Sequence, residues 1–177
     1  MNALVFDTSP LSHFARAGRL AVLDRLTANY RRVTPRAVLD EVRGGELTHP
    51  PLADIRNVDW LEVVACDGLP ELRAFAHYAQ ILGSGERDVG EASVLAWAEV
   101  NAGIAVIDER AGTHAASMRG VVVHGTLWLI TNGVSASELS LPDAERLVDQ
   151  LRDTDARLPC TGATLFQWAK EHGLLSQ

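Results

Sequence analysis

Four carboxylates stand where chemistry could be done: Asp7, Glu41, Glu91 and Asp108. Asp7 closes the apolar run Ala3-Leu4-Val5-Phe6, and Asp108 closes Ile104-Ala105-Val106-Ile107 in the same way much later in the chain. Each run reads as a buried strand that delivers an acid to its carboxyl end, the edge at which open α/β sheets bind ligands. The plainer alternative for Asp7 is a cap on the helix beginning near Pro10, although Ser9 is a good N-cap and Pro10 suits a first helical position. Glu41 lies on or beside the inward stripe Ala37, Val38, Val42 of a helix predicted over 36–43, after Thr34-Pro35, while Asp40 points away. Alone it reads as an edge residue. Glu91 precedes Val94, Leu95 and Ala98 on the inward face of a helix predicted from about Gly90 to Asn101, with Asp88 as its candidate cap. A first-turn acid there also suits the helix dipole.

Carboxylates held close together repel and raise one another's pKa unless a cation lies among them. Oxygen donors of this kind suit Mg²⁺ or Mn²⁺, which keep several waters and bind through a few carboxylates plus substrate phosphate. Such an ion activates water and offsets charge in an in-line displacement, so the predicted chemistry is metal-assisted phosphodiester hydrolysis. It also answers the net charge of −7, because the ion presents positive charge to a phosphate that bare carboxylates would repel.

Positioning these acids requires strands that alternate with helices. Strands are predicted over 3–6, about 31–33, 60–64, 104–107 and 121–123, and helices over 10–17, 20–26, 36–43, 69–82, 90–101 and 110–118, with another after His124-Gly125-Thr126. Residues 46–57, with His49-Pro50-Pro51, read as a loop. In the helix over 69–82, Leu72, Phe75, Ala76 and Ala79 are the expected inward face. The stretch Gly83-Ser84-Gly85-Glu86-Arg87-Asp88-Val89-Gly90 follows a helix and lacks the P-loop lysine, so it reads as a helix-to-helix turn rather than a nucleotide cradle. The expected fold is a three-layer α/β/α arrangement with a central parallel sheet of about five strands. Residues 1–133 form the catalytic domain in this reading, and residues 134–177 a C-terminal helical extension packed on it, with helices over 139–151, capped by Ser140, and 163–174.

A chain of 177 residues fits one domain. It carries no run long enough to span a bilayer and no signal-peptide pattern at its start, so a cytoplasmic protein without membrane contact is expected. Residues 1–45 hold seven arginines against Asp7, Asp24, Asp40 and Glu41, and the rest of the chain is acidic. That segregation fits a nucleic-acid partner and also fits ordinary solvated helix faces, the second slightly better. Cys66 and Cys160 lack metal spacing and read as reduced packing residues. No two of the six histidines pair at metal spacing, and the tryptophans read as core or interface anchors.

The segments Phe6-Asp7-Thr8-Ser9-Pro10-Leu11, Val38-Leu39-Asp40-Glu41-Val42, Gly90-Glu91-Ala92-Ser93-Val94-Leu95-Ala96 and Val106-Ile107-Asp108-Glu109-Arg110 resemble, in order, the four acidic motifs of the PIN-domain family. The similarity covers about residues 3 to 130. It implies a metal-dependent endoribonuclease using Mg²⁺ or Mn²⁺, with Asp7, Glu41, Glu91 and Asp108 as the acidic set and Thr8 or Thr126 as polar helpers. Asp88 and Glu109 are the reserve acids. Many bacterial members are VapC-type toxins, neutralised by an antitoxin and commonly dimeric. The resemblance therefore implies RNA as substrate, an antitoxin as partner and a homodimer. Gly90-Glu91-Ala92 and His124-Gly125-Thr126-Leu127 look closer to an uncharacterised PIN-like subgroup. Glu91 stands where many toxins have Asp, and Trp128 where Gly is frequent.

Three rivals are weighed against this reading. An aspartyl-phosphate phosphatase needs an Asp two residues after the nucleophile, where this chain has Ser9. A nicotinamide enzyme needs a glycine-rich turn after the first strand, which is missing. A PIN-like RNA- or protein-binding scaffold without turnover is the remaining alternative.

Overall fold

The computed structural model describes residues 2–83 and 85–175. Five parallel strands form one sheet: β1 (Ala3–Phe6), β2 (Arg31–Pro35), β3 (Glu62–Val64), β4 (Ile104–Val106) and β5 (Val123–His124), in the order β3-β2-β1-β4-β5. Leu4, Val5 and Phe6 are fully buried, as the centre of a sheet covered on both faces requires. Val5 sits opposite Val33 on one side, and Phe6 opposite Val106 on the other. Strand order reverses between β1 and β4, so the crevice at their carboxyl ends is the topological switch point.

Nine α-helices complete the described fold: α1 (Thr8–Arg16), α2 (Leu20–Leu26), α3 (Arg36–Gly45), α4 (Leu69–Leu82), α5 (Glu86–Val100), α6 (Arg110–Ser117), α7 (Thr126–Ser135), α8 (Leu141–Arg152) and α9 (Gly162–Glu171). Packing sorts most of them into two layers. One holds α1, α2, α7 and α8, with α9 on α8; the other holds α4, α5 and α6, and α3 touches both α1 and α5. The three-layer α/β/α fold is as expected. Leu147, Val148 and Leu151 of α8 and Leu165 of α9 belong to the same hydrophobic cluster as β1. Among the described residues no helix is long and apolar enough to cross a membrane, and Cys66 and Cys160 are free thiols.

Several elements differ from the sequence reading. Helix α1 begins at Thr8, which makes Asp7 its N-cap residue and puts Pro10 inside the first turn. Thr34 is no cap: it lies within β2, and its hydroxyl donates to the Phe6 carbonyl at 3.0 Å. Residues Pro50–Asn57 form a 3₁₀ helix, not a loop, because Leu52 and Ile55 are drawn into the core. On α4 Ala74 and Tyr78 are buried and Phe75 and Ala79 pack half-buried against the core, the last two as expected, while Leu72 is 49% exposed and Ala76 is also exposed. The helix turns this way because the Tyr78 hydroxyl donates to Glu99 of α5, which also receives Arg119. Helix α5 begins a turn earlier than expected, at Glu86, so Glu91 lies within it rather than in its first turn. Asp88 sits inside the helix and accepts from the Gly85 amide at 2.9 Å. Ser84 of the expected turn, and Ser176 and Gln177 of the expected extension, lie outside the described residues.

Candidate metal centre

The sheet edge gathers the acids through the chain's own geometry. Asp7 follows β1, and its amide donates to the Val106 carbonyl at 3.1 Å, which ties the end of β1 to the end of β4. Its side chain is only 5% exposed and makes no capping hydrogen bond. Burial pushes its pKa up to about 7, against the Thr8 and Ser9 amides at the open end of α1, and Glu91 and Glu41 raise it further. Asp7 is therefore more than a cap, because its charge is opposed by two of the three other acids.

Glu91 reaches the same edge from α5 and is 7% exposed. Burial raises its pKa to about 7, aided by Glu109, Asp88 and Glu41 and opposed by the Gly112 backbone. Its Oε1 is buried without a hydrogen-bond partner. Gly112 of α6 packs directly on that carboxylate, where any Cβ would collide with it. Glu41, from α3, accepts from the Thr8 hydroxyl at 2.6 Å and from the Gly90 amide at 2.9 Å. Gly90 is small for the same reason as Gly112, since a Cβ there would meet the Glu41 carboxylate.

Asp108 follows β4 and is held by both donors of Thr126, amide and hydroxyl, each at 2.7 Å. On its other side the Nε2 of His13 lies 3.6 Å from Oδ2. Burial lowers the His13 pKa, with Asp108 pulling the opposite way, and its Nδ1 is buried without a partner. Glu109, exposed at the start of α6, acts electrostatically on both Glu91 and His13 and so links the two halves of the edge.

Asp7, Glu41 and Glu91 are thus brought into mutual electrostatic contact, while Asp108 stands on the neighbouring strand end with contacts of its own. Of the helpers, Thr8 engages Glu41 and Thr126 engages Asp108. His13, Gly90 and Gly112 were missed. The helical period from Ser9 to His13 marks the histidine as one turn below the acid-bearing edge, a signal that metal-pair spacing overlooks. Most of the early arginines are spent locally: Arg31 on Glu62, Arg32 on Asp24, Arg16 on Asp155 and Arg43 on Asp40. The segregated charge is therefore largely ordinary surface pairing.

Among the described residues no group of three His, Cys, Asp or Glu side chains is already arranged as a metal cage. The donor chemistry nonetheless fits a hard divalent ion, since a buried carboxylate oxygen without a partner lies among acids that repel one another. Water and substrate phosphate ordinarily complete such a shell.

A family model described as PIN domain (DUF3368) matches residues 3–165. No curated protein and no solved structure gives a significant match. PIN domains are commonly nucleases and generally use divalent metals. With the sheet order, the switch-point acids and a match over nearly its whole length, the chain belongs to the PIN-domain family.

Proposed function

We propose that this protein is a divalent-metal-dependent endoribonuclease with Asp7, Glu41, Glu91 and Asp108 as its acidic set. One observation carries the reading: Asp7 and Glu91 are both buried at the switch point, in mutual repulsion with Glu41, and the Glu91 Oε1 has no partner. Such an arrangement costs stability unless a cation relieves it.

Asp7, Glu91 and Asp108 would hold Mg²⁺ or Mn²⁺, directly or through water, with Glu41 beside them. A bound ion would supply charge relief to the phosphate and activation to a water. Thr8 and Gly90 hold the Glu41 rotamer, and Thr126 holds that of Asp108, so neither acid has to be ordered when substrate arrives. Burial keeps bulk water from screening Asp7 and Glu91. RNA as the substrate, a VapC-like toxin role, an antitoxin partner and a homodimer all rest on the motif resemblance.

Cleavage of a generic RNA by the purified protein in Mn²⁺, abolished by chelator and by Asp7→Asn, is the expected result. Cleavage that survives Asp7→Asn would point to a contaminant and overturn the assignment. The lack of a ready-made cage favours one other reading, a PIN-like scaffold without turnover. Calorimetry showing no divalent-ion binding at millimolar concentration would establish that scaffold instead.

A further inference from the structure

We infer that His13 is a nitrogen ligand of the metal centre and shares the divalent ion with Asp108. The inference rests on the reading of this edge as a metal site and adds a donor outside the acidic set. His13 comes from α1, far from Asp108 in sequence, yet its Nε2 lies 3.6 Å from Asp108 Oδ2. That separation is long for an N–H···O hydrogen bond. It is within about 0.2 Å of the spacing of two donors on one small ion, because bonds of about 2.1 Å place their ends roughly 3 to 3.4 Å apart over right-angled to tetrahedral arrangements.

Asp108 is set up to share. Thr126 takes one lone pair of each carboxylate oxygen through its amide and hydroxyl, which leaves Oδ2 a second lone pair on the oxygen that His13 faces. The imidazole is mostly buried, at 16% side-chain exposure, so it is not a mobile surface group that happens to lie nearby. Its Nδ1 has no acceptor to brace the ring, as metal-bound histidines usually have. What aims Nε2 is instead the packing of α1, in which Leu11, Phe14 and Ala15 are buried. A nitrogen donor shifts preference from Mg²⁺ towards Mn²⁺ and Co²⁺, since imidazole suits transition ions and all-oxygen sites suit Mg²⁺.

The test is pulsed electron paramagnetic resonance on tag-free protein loaded with Mn²⁺, alongside calorimetric titration with Mn²⁺ and Mg²⁺. Wild-type protein should show ¹⁴N coupling to the bound Mn²⁺, and His13→Gln should abolish it. His13→Gln should also weaken Mn²⁺ binding by at least about tenfold while changing Mg²⁺ binding by less than about twofold. Mn²⁺ bound without ¹⁴N coupling would overturn the inference and leave the nuclease reading intact. Coupling or full Mn²⁺ affinity retained in His13→Gln would overturn it too, because the amide could then replace the ring as a mere hydrogen-bond donor to Asp108. No bound ion in wild-type protein would instead remove the metal-centre reading on which it stands.

Discussion

Each acid at the sheet edge is held differently, and the differences have consequences for pH. Glu41 accepts from Thr8 and Gly90 and Asp108 from both donors of Thr126, whereas Asp7 and Glu91 are buried and raised to about 7. A carboxyl whose folded pKa exceeds its unfolded value stabilises the fold fully below the unfolded value and loses that contribution as pH rises through the folded one. For Asp7 and Glu91 the window runs from about 4 up to and just past about 7. His13 and His124, whose pKa values are lowered by burial, act in the opposite sense below their ordinary value of 6.5. In chelator, the thermal midpoint should therefore rise as pH falls from 8 to 6.5 and level off below that. Saturating Mn²⁺ should flatten the slope by favouring the ionised acids. A midpoint that stays level or falls between pH 8 and 6.5 in chelator would show that Asp7 and Glu91 are not charge-stressed.

At the scale of elements, turns decide how the acids are presented. Helix α5 ends at Val100 and the chain passes through Ala102 at φ 51° before entering β4, which carries the strand that ends near Asp108. A non-glycine residue in that left-handed region is strained by roughly 1 kcal/mol, and glycine is the usual occupant after a helix C-terminus. Ala102→Gly should raise stability to chemical denaturation, by up to about 1 kcal/mol, without changing cleavage, as equilibrium unfolding would measure. The same scale accounts for the misjudged elements. Apolar spacing favours Leu72, Phe75, Ala76 and Ala79 as the inner face of α4, but the Tyr78–Glu99–Arg119 contact, which joins α4 and α5 to a residue just beyond α6, turns Leu72 and Ala76 outward. The early start of α5 likewise depended on Asp88 closing on the Gly85 amide, a local bond that periodicity does not report.

At the scale of the whole molecule, the C-terminal helices belong to the same core as the site. Leu151 of α8 is fully buried, and it shares one hydrophobic cluster with Phe14 of α1 and Leu23 of α2. Leu151→Ala should cost about 2–5 kcal/mol. Unfolding should remain a single transition in which the metal-edge helices melt with the rest. Two separated transitions, seen by calorimetry, would show that residues beyond 133 fold apart from the acid-bearing sheet edge.

The sequence by itself determined the strand runs, their alternation with helices and the apolar-run-to-acid endings at Asp7 and Asp108, because these depend on neighbours within a few positions. It could likewise mark Glu41 and Glu91 as acids on apolar faces. Only the tertiary structure decided that Asp7, Glu41 and Glu91 share one electrostatic neighbourhood, that Gly90 and Gly112 make room for two of their carboxylates, and that His13 faces Asp108. Those facts depend on how β1 and β4 pair and on how α1, α3, α5 and α6 pack around their ends. No local pattern carries them, since each joins residues that are distant in the chain.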